Sequence, residues 1–309
     1  MKQYDAIIIG GGPAGLTALL YLGRGMANTV LLEAGCVGGQ MLITDAIENY
    51  PGFPGGIQAF TLTEQMEKQA REFGGAIETL EVASIENIDT PVKKVVCATG
   101  ETFETKVLIL TPGAKARDLG VAGEEHFKAR GVSYCGTCDG AFFRDKTIAV
   151  VGGGDTAFDE TVFLTRFAKK IYLVHRRKEF RAAPISIDRV RKMEKVEFVL
   201  DTVIDEIYGE QTVKGIRTRN TVSGTTGDIP LDGVFIFVGL DPVTGFLAKS
   251  GITMTQSGYI IVDRDMKTNF PGVYAAGDVI EKSERQIATA VGDAATAACQ
   301  AIKYLDSLR

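Results

Sequence analysis

Ala6-Ile7-Ile8-Ile9-Gly10-Gly11-Gly12-Pro13-Ala14-Gly15 stands near the start of the chain. Its counterpart, Ile148-Ala149-Val150-Val151-Gly152-Gly153-Gly154-Asp155-Thr156-Ala157, begins 142 residues later. Each stretch reads as an apolar strand, a glycine-rich turn and the first turn of a helix. In such a unit the first glycine permits the tight turn and the second lets the backbone approach a pyrophosphate. The third small residue lets the helix pack on the strand. The helix N-terminus then points free N–H groups at the phosphates. Gly10, Gly12 and Gly15 fill these places in the first copy; Gly152, Gly154 and Ala157 fill them in the second. Pro13 suits a first helical position, where its missing N–H costs nothing. The expectation is an α/β fold with two Rossmann-like dinucleotide-binding domains.

The copies differ where their second strands end. The first ends in Glu33, 21 residues after Gly12, the place of a carboxylate that accepts from a ribose 2′-OH. The second ends in His175-Arg176-Arg177, with Arg181 close behind. A carboxylate repels a 2′-phosphate, whereas a basic cluster pairs with one and arginine can do so bidentately, so this site is expected to take NADPH. Between the copies lies Cys135-Gly136-Thr137-Cys138. A CxxC pair can stabilise one thiolate while the other cysteine resolves a mixed disulfide. Asp139 follows it directly and is a candidate proton donor when thiolates form. Two dinucleotide sites and one such pair point to electrons passing from a nicotinamide, through a flavin, to a disulfide.

Composition narrows the alternatives. The 309 residues exceed what one core comfortably serves, so two domains are expected. An apolar content of 45% with 24% charged residues is that of an ordinary globular protein. The net charge of -5, with no Lys/Arg-rich stripe, argues against nucleic acid. The chain enters its first strand almost at once, which argues for no signal peptide and a cytoplasmic location, and no apolar run reaches membrane-span length. Five cysteines at 36, 97, 135, 138 and 299 are not a secreted disulfide framework, and Cys97 and Cys299 read as buried small hydrophobes. With only two histidines in the chain, no metal site is expected.

Along the chain, strands are expected over 5–9 and 28–33, a helix over 59–73, and alternating strands through 77–110. A second unit then holds strands near 171–174, 195–200, 212–218 and 233–239. The return is expected to contain a strand at 258–263, another running into Gly277-Asp278, and a final helix over 286–306 rich in alanine. An inserted domain is the economical arrangement, since surface loops tolerate insertion.

These residues resemble the bacterial-type, low-molecular-weight thioredoxin reductase family from end to end. The motifs that carry the resemblance are Gly10–Gly15, Gly38-Gly39-Gln40, Cys135–Gly140, Gly152–Ala157, His175-Arg176-Arg177 with Phe180-Arg181-Ala182, Gly277-Asp278-Val279 and Arg285-Gln286. The resemblance implies a homodimeric flavoprotein whose two Rossmann-like domains are of the three-layer ββα type, the NADPH domain inserted in the FAD domain. FAD would occupy residues 1–114 with 240–309, and NADPH residues 115–239, which carry the disulfide. It further implies that Glu33 holds the adenosine ribose, that Gln40 and Asn49 lie along the FAD, and that Asp278 contacts its ribityl–pyrophosphate region. Arg285, Gln286 and Ile287 would approach the isoalloxazine. Pro13, Ala14, Gly39, Thr111, Gly113 and Gly277 would complete that site, and Asp155 and Thr156 would serve the NADPH site. Cys138 would face the flavin, Cys135 would attack thioredoxin, Asp139 would be the acid/base, and the smaller domain would rotate between two states. Three departures stand out: Gly136 where alanine is commoner, Thr111-Pro112-Gly113 in the closing turn, and Asp159 for glutamate.

The expected activity is NADPH-dependent reduction of thioredoxin. Alternatives with the same motifs are a reductase of another small disulfide protein, a flavin-linked thiol oxidase and a redox sensor.

Overall fold

The computed structural model describes residues 2–43, 46–128, 130–134 and 136–308, with the side chains of 43, 46, 137 and 138 left aside. It divides into two compact units, Met1–Lys115 with Asp241–Arg309, and Ala116–Leu240.

In the first unit the opening apolar run forms β1 (Lys2–Ile9), and Pro13 begins α1 (Pro13–Arg24), as a first-turn proline should. Strand β2 (Thr29–Glu33) and, after α2 (Ala59–Glu72), strand β3 (Ala76–Thr79) pair in parallel beside β1. A meander of β4 (Val82–Glu86), β5 (Lys93–Cys97) and β6 (Thr102–Leu110) follows, and β6 returns parallel to β1 on its other side. The hydrophobic runs of β1 and β6 alternate between two buried faces. Ala6, Ile8, Val107 and Ile109 point to one core, and Ile7, Ile9, Leu108 and Leu110 to the other. Burial on both faces is what a parallel strand covered on each side requires.

The second unit repeats the plan. Its parallel sheet runs in the order β7 (Val132–Ser133), β14 (Gly233–Phe237), β8 (Thr147–Gly152), β9 (Lys170–Val174), β10 (Val196–Val199). Helices α3 (Asp155–Leu164) and α4 (Pro184–Arg191) contribute Phe158, Leu164 and Val190 to one core. The antiparallel sheet β11 (Thr202–Gly209), β12 (Val213–Asn220) and β13 (Thr226–Pro230) contributes Ile204, Ile207 and Ile216 to the opposite one. Each unit is therefore a three-layer ββα sandwich.

The chain then rejoins the first unit, where β15 (Val273–Ala275) adds to β6 and α5 (Ile287–Ser307) packs on α1. Ala290, Ala294, Ala297, Ala298 and Ala301 are buried at that contact, small enough for the two helices and the sheet to close together. The expected strand at 258–263 does not form. Ile260 makes only isolated bridges to Met254 and Ile280, because a turn at Gly258 precedes it and Asp263 folds its carboxylate back onto the N–H groups of Asp265 and Lys267. Cys97 is buried as expected, but Cys299 lies on the exposed face of α5. Among the described residues no helix is long and apolar enough to cross a membrane.

Candidate active site

In the first unit the glycine loop is built against the end of β6. A Cβ at Gly10 would collide with the Thr111 carbonyl, and one at Gly15 with the Gly10 carbonyl, whereas one at Gly12 would meet nothing within 4 Å. Strand and helix thus meet as closely as glycine allows, and the loop keeps open space at the position expected to face a pyrophosphate. The Thr111 hydroxyl donates to the carbonyls of Ile9 (3.0 Å) and Gly10 (2.9 Å), locking the turn. Glu33 accepts from the N–H groups of Gly11 (2.6 Å) and Gly35 (2.9 Å), which fixes its carboxylate under the loop. The turn holding Gly39 and Gln40 lies over the same loop: Gly38 N–H donates to the Gly11 carbonyl at 2.9 Å, and a Cβ at Gly39 would lie 3.2 Å from Gly12 Cα.

Gly277 packs beside Ala14, where a Cβ would stand 2.9 Å from that methyl. Its neighbour Asp278 has a buried Oδ1 with no hydrogen-bond partner among the described residues, and burial pushes its carboxyl up despite the charges of Lys282 and Arg285. A buried carboxylate oxygen left unpaired by the protein is costly, and a ribityl hydroxyl would satisfy it. The open space at Gly12 and the orphaned oxygen at Asp278 together fit FAD. A second cluster forms at the N-terminus of α5. Asn49 Nδ2 donates to Gln286 Oε1 at 2.9 Å, Gln286 and Thr289 form a reciprocal capping box, and Ile287 packs against Met41, Ile47 and Leu62. Arg285 turns inward to donate to the carbonyls of Asp278 and Ile280, both at 3.3 Å, with its guanidinium 4.1 Å from the Tyr259 ring centre. Gly113 stands two residues beyond Thr111, with nothing within 4 Å of a Cβ.

The second unit builds the same cradle from different side chains. A Cβ at Gly152 would collide with the Phe237 carbonyl, and one at Gly154 would meet nothing within 4 Å. Ala157 is fully buried at the helix–strand contact. Asp155 Oδ1 accepts from Ala183 N–H (2.6 Å), and Arg181 N–H donates to the Gly153 carbonyl (2.7 Å), so the 181–183 segment is tied to the loop. Thr156 follows in the first turn of α3. His175 lies under Gly153 as Glu33 lies under Gly11. Its Nε2 bonds the Glu179 carbonyl at 3.1 Å, and a Cβ at Gly153 would run into its ring. Burial pushes His175 below its ordinary pKa, opposed by the Glu179 carbonyl and reinforced by Arg176, Arg181 and Arg177. The ring is therefore neutral at pH 7 and supplies shape, while the exposed Arg176, Arg177 and Arg181 supply the charge.

Cys135 lies outside the described residues, as does the side chain of Cys138. Around them, Gly136–Asp139 forms a single helical turn that closes on the half-buried Asp139. Ahead of it, the Tyr134 hydroxyl donates to Glu124 Oε1 at 2.7 Å, and Glu124 also accepts from the N–H groups of Leu119, Gly120 and Val121.

The sequence profile of the pyridine nucleotide-disulphide oxidoreductase family matches residues 4–294. Thioredoxin reductase of Listeria innocua is 45% identical over all 309 residues and 96% of its own length. That of Bacillus subtilis is 42% identical over the same span. The chain belongs to the bacterial-type thioredoxin reductase family. Among solved structures of the family, thioredoxin reductase of Lactococcus lactis superposes with a TM-score of 0.96 at 44% identity, covering 98% of this chain and 99% of that one. The enzyme of T. acidophilum superposes at 0.93 with 32% identity, over the whole of both chains. Membership accounts for both dinucleotide cradles, since the family uses FAD and NADPH.

Sequence reading missed three groups that the structure places beside these sites. Lys282 Nζ and Asp293 Oδ2 form an ion pair at 2.7 Å, with side chains only 13% and 17% exposed, and the same carboxylate accepts from Gly277 N–H at 3.3 Å. A lone acid within the alanine-rich face of α5 was the available signal. The Glu124–Tyr134 post has a local signal in the acid eleven residues before the first cysteine of the CxxC pair only after the fold is known. Glu160, buried under Gly136, had none.

Proposed function

We infer that the protein is an NADPH-dependent, FAD-containing thioredoxin reductase, and that its Cys135–Cys138 pair carries electrons to oxidised thioredoxin. The observation that carries the reading is the pair of cradles with opposite chemistry at one position, Glu33 under Gly11 and His175-Arg176-Arg177 beside Gly153, in a chain matched end to end by thioredoxin reductases. Bound FAD supplies the chemistry that converts a hydride from NADPH into electrons for a disulfide. The protein's own residues do the rest. The residues 1–114 with 240–309 serve the FAD, with Gly10, Gly12 and Gly15 admitting the pyrophosphate, Glu33 accepting from the ribose and Asp278 from the ribityl chain. The residues 115–239 serve NADPH, whose 2′-phosphate Arg176 and Arg177 hold. Cys138 faces the flavin, Cys135 attacks the thioredoxin disulfide, and Asp139 supplies and removes the proton. The chain works as a homodimer in the cytoplasm on this reading.

Replacing Cys135 or Cys138 by serine tests it. Each variant is expected to retain FAD and to be reduced by NADPH, yet to lose thioredoxin reduction. Full thioredoxin reduction by Cys135→Ser would sink the mechanism.

A further inference from the structure

Behind the redox segment stands a carboxyl for which the reaction described above has no use. Glu160 lies in the middle of α3, is 4% exposed, and faces the turn Gly136–Asp139. A Cβ at Gly136 would collide with Glu160 Oε2 and lie 3.5 Å from Leu164 Cγ, so the carboxyl fills the space a side chain would take at position 136. A backbone hydrogen bond from Gly136 reaches this carboxyl, while its Oε2 is buried with no partner among the described residues. Gly136 is itself buried and lies between the two cysteines in the chain. The departure from the commoner alanine thus has a structural counterpart: this placement of Glu160 requires glycine at position 136.

The surroundings keep the carboxyl neutral. Burial pushes its pKa up to about 8; the Gly136 backbone bond works against this and the charge of Asp159 adds to it. Of the elements packed on α3, strands β8 and β14 present apolar side chains such as Val150 and Phe235. Helix α4 carries Asp188, Arg189 and Arg191 and meets α3 through Ser186 and Asp159, 3.5 Å apart. The turn at 136–139 carries Asp139. Asp159 is the charged side chain that bears on Glu160. An unpaired carboxylate in such a site is strongly disfavoured, so the proton stays on until the medium is alkaline.

We propose that Glu160 is a positioning residue for the Cys135–Cys138 pair, holding the Gly136 peptide from behind as a neutral carboxyl, and that its ionisation opposes thiolate formation in the pair. The inference rests on the thioredoxin reductase reading. Reduction of the disulfide breaks the S–S bond with two electrons supplied by the NADPH reaction and, with one proton, leaves one thiol and one thiolate. A neutral Glu160 adds no charge behind the Gly136 peptide, which adjoins the first cysteine of the pair in sequence. An ionised one repels the thiolate, and by reciprocity the thiolate holds the proton on Glu160 more tightly. Since the raised group loses its proton as pH rises through about 8, the handicap appears on the alkaline side.

The test is the pH profile of kcat/KM for thioredoxin in the FAD-loaded protein and in Glu160→Gln, which keeps the shape and an acceptor for Gly136 but cannot ionise. The ratio of variant to unmodified enzyme is expected to rise roughly tenfold between about pH 6.5 and pH 9, the size of a close like-charge effect. Gly136→Ala, whose methyl displaces the carboxyl, is expected to move the inflection away from pH 8, and adding Glu160→Gln to it should then change little. Profiles of constant ratio across this range, or an inflection that neither substitution moves, would overturn the inference alone. Absence of thioredoxin turnover in the unmodified protein at every pH would overturn the thioredoxin reductase reading, and this inference with it.

Discussion

At Gly11 and Gly153 one backbone position meets two different side chains. Under Gly11 lies Glu33, whose carboxylate the loop itself holds; beside Gly153 lies His175, neutral, with the exposed Arg176 and Arg177 next to it. On the reading proposed above, that substitution tells a hydroxyl from a phosphate. Charge-assisted hydrogen bonds to a phosphate each contribute about 1.5–3 kcal/mol, less when exposed to solvent and salt. Arg176→Ala combined with Arg177→Ala is therefore expected to lower kcat/KM for NADPH by roughly 10²-fold. The value for NADH should barely move, which steady-state kinetics with both nucleotides will decide. Equal efficiency of the two nucleotides in the unmodified enzyme would remove the cluster from that role. These residues were legible because a glycine loop fixes where the end of the next strand must lie. Glu160 was not, because Asp159-Glu160 in an amphipathic helix reads as two solvated acids, and only the packing of the 136–139 turn buries one of them.

Helix α5 shows how one element can hold a site together. Its alanines let it close on α1 and the sheet, its first residues form a capping box, and Asp293 reaches back to Lys282 and to Gly277 N–H beside the FAD cradle. Removing one partner of a largely buried ion pair leaves the other charge uncompensated, whereas replacing both by apolar groups is often neutral. Asp293→Ala is expected to destabilise the protein by about 3 kcal/mol and to weaken FAD retention. Lys282→Met with Asp293→Leu should recover most of the stability. Denaturant melts of the three proteins, with flavin fluorescence as a second readout, measure this; equal melts for Asp293→Ala and the parent would show the pair to be idle. The helix itself was plain from its small-residue pattern, and so were the strands that open each cradle. The segment at 258–263 misled because its alternation matches a strand, while the turn at Gly258 and the side chain of Asp263 leave only Ile260 bridged. Alternation reports which faces could be buried, and it does not report whether a neighbouring strand is present.

At the scale of the whole molecule, the duplication at Gly10 and Gly152 made two Rossmann-like units readable from the sequence alone. Each glycine loop requires a strand before it and a helix after it, and that constraint propagates through a whole unit. The three-stranded antiparallel layer of the second unit was harder to see, since Ile204, Ile207 and Ile216 bury one face of strands that are otherwise polar. What the two units accomplish together is the passage of electrons from NADPH through FAD and the cysteine pair to thioredoxin. The most direct test is an anaerobic stopped-flow experiment on the FAD-loaded protein, following flavin absorbance. NADPH is expected to bleach the flavin, and oxidised thioredoxin to restore it, repeatedly and in proportion to the thioredoxin added. A flavin that NADPH bleaches but that only oxygen, and not thioredoxin, reoxidises would contradict the account.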